Sequence, residues 1–244
     1  MEYRTLNNDE IRDLEFRILF EDNHLLVLNK KSGEIVQGDK TGDECLIEKL
    51  KAYIALRDHK PGKVYLGLPH RLDRPVSGIC IFAKTSKALE RLNEMFRGSD
   101  IHKTYLALCC KKPQKEEALL ENWIWKNEKQ NKSYICSEAE AVNKSAKIAR
   151  LKYKYIGSSE RYHLIKVELL TGRHHQIRCQ LSHIGCPIKG DLKYGALRSN
   201  KDAGICLHAF NIEFLHPVKK TNMTIMAPVL SDWGKIVQNL MTES

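Results

Sequence analysis

The spacing of apolar positions changes several times along the chain, and each change predicts an element. Two short apolar runs, Phe16 to Phe20 and Leu25 to Leu28, flank Glu21, Asp22 and Asn23, which predicts a hairpin closed off by Gly33. From Asp43 to Arg57, residues Leu46, Ile47, Leu50, Tyr53 and Ile54 recur at helical spacing and predict a helix with one buried stripe. "GICIFAKTS" alternates Ile79, Ile81 and Ala83 with Cys80 and Phe82; because both sets are apolar, the predicted strand is covered on both faces. Ser86 then caps a predicted helix carrying Leu89, Leu92 and Phe96 and ending near Gly98, after which "HKTYLALCC" reads as a strand.

Between Lys111 and Lys147 the sequence is polar, relieved by "LLENWIW" and "SYICS", and predicts a peripheral hairpin arm rather than a linker, since it lacks a Gly/Ser or Pro-rich tract. "AKIARLKYKYIG" predicts a strand with Ala149, Leu151, Tyr153 and Tyr155 packed, and Arg150, Lys152 and Lys154 wet and positive. "RYHLIKVELLTG" is its hairpin partner, and "RHHQIRCQLSHIG" predicts a helix closed by Gly185 and Pro187. Strands follow in "GICLHAFNIEFLHPV" and "TNMTIMAP", and Val229 to Leu240 predicts a last amphipathic helix. Hairpins outnumber β-helix-β crossovers, so the expected class is α+β, with a mixed, mainly antiparallel central sheet and flanking helices.

Composition narrows the partners. Forty Lys and Arg against thirty Asp and Glu give a formal charge of +10, a field that favours polyanions such as nucleic acid. The N-terminal "MEYRTLNNDEIRDLEF" has no apolar core of a signal peptide and no run spans a bilayer, so a cytoplasmic protein with no membrane partner is expected. The eight cysteines form no CxxC pair and read as reduced thiols.

The first chemistry-bearing stretch is "LPHRLDRPVSGICIFAKT", where Asp73 lies between Arg71 and Arg74 with His70 nearby, at the entry to a buried strand. Two readings compete: a surface ion pair, or a nucleophile kept ionised by adjacent cations. His70 is also a candidate base, although no triad around it is visible. In "TGRHHQIR", Arg173, His174, His175 and Arg178 are expected to begin a helix, either as a solvated face or as a phosphate site. His175, Cys179, His183 and Cys186 raise the possibility of zinc, but at about 1.5 Å rise per residue positions i and i+8 stand about 12 Å apart. One ion cannot bind both histidines, and no metal site is assigned.

"HRLDRPVSG" closely resembles the signature of the RluA-type pseudouridine synthases, whose catalytic aspartate falls at Asp73. "LLVLNKKSG", "HKTYLALC", "LLTGRHHQIRCQLSHIGCPIKGDLKYG", "LHAFNIEFLHPV" and "MAP" resemble further family segments in the same order. Lys31 stands where many relatives have proline, and "ALCC" departs from the small-residue ending of the second motif. The resemblance starts at about Leu14, leaving 1–13 as an extension without an S4-type RNA-binding domain and 14–244 as the catalytic domain.

The resemblance implies isomerisation of specific uridines to pseudouridine in structured RNA, ribosomal or transfer, without a cofactor or an obligate protein partner. Asp73 is then the nucleophile, and Tyr105, otherwise a strand aromatic, stacks on the target uracil. Arg178 pairs with the aspartate, and Arg71 enters the RNA stack vacated by the base. Arg74, Arg173 and His70 are the remaining RNA-binding candidates. Two other readings are a non-catalytic RNA-binding protein or chaperone on the same scaffold, and a zinc-dependent nucleic-acid module.

Overall fold

Asn7 opens a first helix that hydrophobic spacing alone does not predict. Its side chain accepts from the Glu10 amide while the Glu10 carboxylate accepts from the Asn7 amide, a reciprocal cap that satisfies two otherwise unpaired N–H groups. In a computed structural model describing residues 3–38 and 42–242, this helix, α1 (Asn8–Arg17), absorbs Phe16 and Arg17. The first predicted strand is shortened accordingly, to β1 (Ile18–Glu21).

There follow β2 (Leu25–Lys30), α2 (Leu46–Arg57), β3 (Ser77–Ala83), α3 (Ser86–Gly98), β4 (His102–Cys109), β5 (Glu117–Asn127) and β6 (Lys132–Cys136). The chain continues through α4 (Glu138–Ala141), β7 (Lys147–Ser158), β8 (His163–Leu169), α5 (Gln176–His183), a 3-10 turn (Leu192–Tyr194), β9 (Leu207–Leu215), β10 (Asn222–Met226) and α6 (Gly234–Thr242). The described residues thus hold ten strands and six α-helices, and the α+β class is as expected. They group into two compact units, Met1–Ile101 with Ile212–Ala227, and His102–Asn211 with Pro228–Ser244.

In the first unit, β1, β2 and β3 form an antiparallel ladder, with Leu25 opposite Ala83 and Lys30 opposite Gly78. Every residue of β2 and nearly all of β3 is buried, because α1 and α2 cover one face through Leu14, Leu46, Leu50 and Ile54 against Leu26, Leu28, Cys80 and Phe82. α2 starts at Leu46 rather than Asp43. The cap of α3 is Thr85, whose hydroxyl accepts from the Ala88 amide, so the predicted cap Ser86 becomes the first helical residue.

In the second unit, β4 pairs with β8, β8 with β7, β7 with β5 and β5 with β6, all antiparallel. The expected alternation on β7 is present, with Ala149, Leu151 and Tyr153 buried and Arg150, Lys152 and Lys154 exposed. The expected hairpin is present as β5 and β6, with β6 at the edge of the sheet, and β5 also pairs with β7 from Glu117–Lys154 through Ile124–Lys147, so the arm continues the ladder. Only Ile124 of β5 is buried, so backbone pairing rather than side-chain burial holds this strand, and its sequence shows little of that. The last helix begins at Gly234, after a lead-in in which the Gly234 amide donates to Ser231 O.

Candidate active site

The Asp73 loop lies wholly in the first unit. Leu72 and Val76 are buried and fasten it, Arg71 and Arg74 are exposed, and Asp73 is half-buried between them. The Val76 amide donates to Asp73 O at 3.0 Å, closing a tight turn immediately before β3, while the Gly33 amide donates to Arg74 O at 2.8 Å. Ser32 Oγ adds a bond to Pro75 O. His70 holds the other side: its Nε2 accepts from the Ile81 amide at 3.0 Å and its ring stacks on Phe96, with centroids 4.7 Å apart. Arg74 forms an exposed pair with Asp43 at 2.8 Å.

Beneath this turn is Lys30, 1% exposed, two residues beyond the predicted run Leu25 to Leu28 and the last residue of β2. Its Nζ donates to Val76 O at 2.6 Å, Lys31 O at 3.0 Å and Arg74 O at 3.1 Å, with Asp73 O at 3.4 Å. Burial lowers its pKa to about 8.

In the second unit, Tyr105 sits on β4 opposite Val167 of β8 and is 9% exposed. Arg178 is in the first turn of α5 and 5% exposed. Its Nε donates to Asp191 Oδ2 at 2.7 Å and its Nη2 to Asp191 Oδ1 at 2.9 Å, a bidentate pair whose geometry fixes the guanidinium plane. The guanidinium also lies over the Tyr194 ring, 5.0 Å from its centroid. Asp191 can take this place because Gly190 turns the chain with φ 89°; a Cβ at Gly190 would stand 2.6 Å from Gly204 O and from Asn200 Nδ2.

The helix starts later than predicted. Gln176 is its first residue and His175, with φ 50°, is the residue before it, so Arg173, His174 and His175 precede the helix instead of beginning it. The reason is local: Gln176 Oε1 accepts from the Arg173 amide, Arg173 Nε donates to Ile148 O, and these bonds hold the segment as a loop against β7. His175 is buried and its Nδ1 lies 3.0 Å from the Tyr194 hydroxyl, which also receives the Ser133 amide at 2.8 Å. Burial, with Arg178 nearby, drives its pKa down to about 2, so the ring is neutral. Among the described residues no cluster of three or more metal-ligating side chains occurs.

The family motifs point to Asp73, Tyr105 and Arg178 as candidates and give no role to Lys30, Asp191 or Tyr194. The last two were visible only as part of "GDLKYG", with nothing in their spacing to couple them to Arg178.

Comparison with known proteins defines the class, an RNA-modifying isomerase. Residues 24–183 match the RNA pseudouridylate synthase family, and the chain belongs to it: it is an RNA pseudouridine synthase. It is 34% identical over 240 residues to ribosomal large subunit pseudouridine synthase C of Vibrio vulnificus, covering 96% of this chain and 72% of that protein. It is likewise 34% identical to the protein of that name from Haemophilus influenzae, covering 96% and 71%. The fold matches human RNA Pseudouridylate Synthase Domain Containing 4 with a TM-score of 0.76 at 22% identity, covering 96% of each chain. The human Domain Containing 1 protein matches at 0.69, with 22% identity and 98% of each chain covered. No helix among the described residues is long and apolar enough to cross a membrane.

Proposed function

We propose that this enzyme isomerises uridine in large-subunit ribosomal RNA within the cytoplasm, with Asp73 as its nucleophile. The substrate class follows from the relatives' names and fits the +10 charge. The single observation that carries the assignment of Asp73 is its position: a half-buried carboxylate in "HRLDRPVSG", on a turn tied down at three carbonyls just before a buried strand.

The reaction breaks the bond between C1′ and N1, joins C1′ to C5, releases the C5 proton and returns a proton to N1. Asp73 acts by attack at C1′ or C6, or by removing a ribose proton. Each route needs an ionised carboxylate, and Arg178 is the cation proposed to pair with it. The uridine must first leave its stack, at a cost of a few kcal/mol, and Arg71 fills the gap. Tyr105 stacks on the everted base, worth about 1–3 kcal/mol. Arg74 and Arg173 contact phosphate, while His70 serves RNA binding by holding Arg71 on its loop.

The test is Asp73→Asn with a transcript of the host's large-subunit ribosomal RNA carrying uridine tritiated at C5. Tritium release should fall by at least about 1,000-fold while affinity for the transcript stays within about threefold. Near-normal release would remove the assignment. Pseudouridine mapping in cells rescued with either form identifies the modified position.

A further inference from the structure

The first unit also contains a cavity of about 370 Å³, within the roughly 300–1,000 Å³ usual for small-ligand sites. Buried Ile54 and Val64 supply its apolar lining, and Asn23, Lys60, Tyr65 and Lys84 are among its polar walls. It lies far from the Asp73 turn. Lys84 directly follows β3, whereas that turn directly precedes it, so the seven residues of β3, at about 3.3 Å each, put roughly 20 Å between the two.

The backbone builds this site from three segments. At the end of α2, His59 takes the left-handed conformation with φ 48° and the Lys60 amide donates to Ala55 O at 3.1 Å, a close that turns the chain back on the helix. Beyond it burial alternates: Val64 and Leu66 are 6% exposed, while Lys63 and Tyr65 face outward, the tyrosine 46% exposed. Gly67 and Ala83 then exchange both backbone bonds at 2.8 Å, and the Lys84 amide donates to His24 O at 2.8 Å, which gathers Tyr65, Lys84 and Asn23 around one space.

The charge there is unbalanced. Four cations, Arg57, Lys60, Lys63 and Lys84, meet two carboxylates, Glu21 and Asp58. Arg57 takes most of the acid, bonding Glu21 at 2.7 and 2.8 Å and Asp58 at 2.7 Å, and Lys84 bonds Glu21 at 2.6 Å. Lys60 is left 3.7 Å from Asp58, and Lys63 forms no ion pair among the described residues. Nor do the Tyr65 hydroxyl and the Asn23 amide bond any side chain among those residues.

Excess positive charge alone would suit any polyanion, but an open aromatic face with an uncommitted amide beside it suits a nucleotide. We propose that this cavity binds one unpaired nucleotide of the substrate RNA, with its phosphate on Lys60 and Lys63, its base stacked on Tyr65 and the Asn23 amide at the base edge. At about 3.4 Å per stacked nucleotide, the site lies roughly six nucleotides from a uridine held at Asp73, and so lengthens the stretch of RNA on which the enzyme selects its target. The proposal rests on the reading of large-subunit ribosomal RNA as the substrate and not on the chemistry of Asp73.

The experiment uses the full chain and the tritiated large-subunit transcript. Affinity should fall about tenfold in Tyr65→Ala and stay within about twofold of wild type in Tyr65→Phe, which keeps the ring. In the double variant Lys60→Ala/Lys63→Ala the slope of log affinity against log salt should become shallower by about 0.7, the value for one single-stranded phosphate. Both losses should fall on affinity and much less on single-turnover release at saturating enzyme. The variants alter different exposed side chains, so if one does not fold the other still decides. Ultraviolet irradiation of the enzyme on total cellular RNA should cross-link a nucleotide within residues 58–65, whichever RNA is the substrate. Transcript affinity within twofold of wild type in both Tyr65→Ala and the lysine variant, or no cross-link in that segment, overturns the proposal. Micromolar binding of adenosine monophosphate that Tyr65→Ala abolishes, with transcript affinity unchanged, also overturns it, in favour of a free nucleotide. A wild type that ignores the transcript yet cross-links through this segment removes the ribosomal reading alone, and an active Asp73→Asn removes only the nucleophile assignment.

Discussion

Asp73 and Arg178 are held in opposite ways. The acid is fixed through its backbone: Lys30 bonds the carbonyls of its turn, and the side chain projects half-buried from a loop flanked by exposed arginines. The cation is fixed through its own side chain, with two charge-assisted bonds to Asp191 and the Tyr194 ring beneath the guanidinium. On the proposed roles Asp73 is the reacting group, and the chain that carries it sets where its side chain begins. A group that only has to present charge can be clamped directly, and the clamp then sets its direction.

This contrast is broken or sharpened by a graded series. Asp73→Asn should have the largest effect on turnover and a small one on stability, which an urea titration alongside the tritium assay checks. Asp191→Ala should lower turnover less than Asp73→Asn does and stability more. It removes the carboxylate that takes two bonds from a guanidinium 5% exposed, at a cost of about 3–5 kcal/mol in unfolding free energy. A loss below about 1 kcal/mol would mean that Arg178 is held by something other than Asp191.

A pH series probes the same region. His175 has a folded pKa near 2 against an ordinary value of 6.5, so it is neutral in the folded state where the unfolded chain takes up a proton. Its contribution is complete above pH 6.5 and is lost as pH falls toward 2, with a limiting slope of about 1.4 kcal/mol per pH unit. The stability difference between wild type and His175→Asn should therefore shrink between pH 6.5 and 4.5; a constant difference would contradict a buried neutral ring. The smallest effect belongs to the exposed Asp43–Arg74 pair, both side chains 50% accessible: Asp43→Ala should change stability by less than about 1 kcal/mol.

How much of this could be read from the residues depends on where each feature's physics lies. β3, β4 and β7 were legible because burial on one or both faces leaves a period in the sequence, and α3 because its stripe is local, although its cap lies one residue earlier than predicted. α1 left a usable trace in Asn7 and Glu10, but its weak apolar stripe concealed it. β5 is held by backbone pairing, to which side-chain pattern is nearly blind. The late start of α5 depends on Gln176 bonding Arg173, a choice between two local hydrogen-bond schemes that composition does not decide.

Of the site, the family motifs marked Asp73, Tyr105 and Arg178, while the residues supporting two of them were concealed for different reasons. In "LNKKSG" a lysine reads as a surface residue, and only the unbroken burial of the strand leading into it hints otherwise. Asp191 lies thirteen positions beyond Arg178, a separation that reflects no helical or strand period, so its partnership is a product of tertiary folding alone.

Gly190 carries the last consequence. Since every other amino acid would drive a β-carbon into a neighbouring main-chain oxygen, the codon for residue 190 has almost no neutral variants, while open positions such as Gly62 and Gly172 differ in having no neighbour within 4 Å. In a saturation library, depletion at 190 should match depletion at 191, and the two sites should drop out together although only one of them has a side chain that bonds to anything.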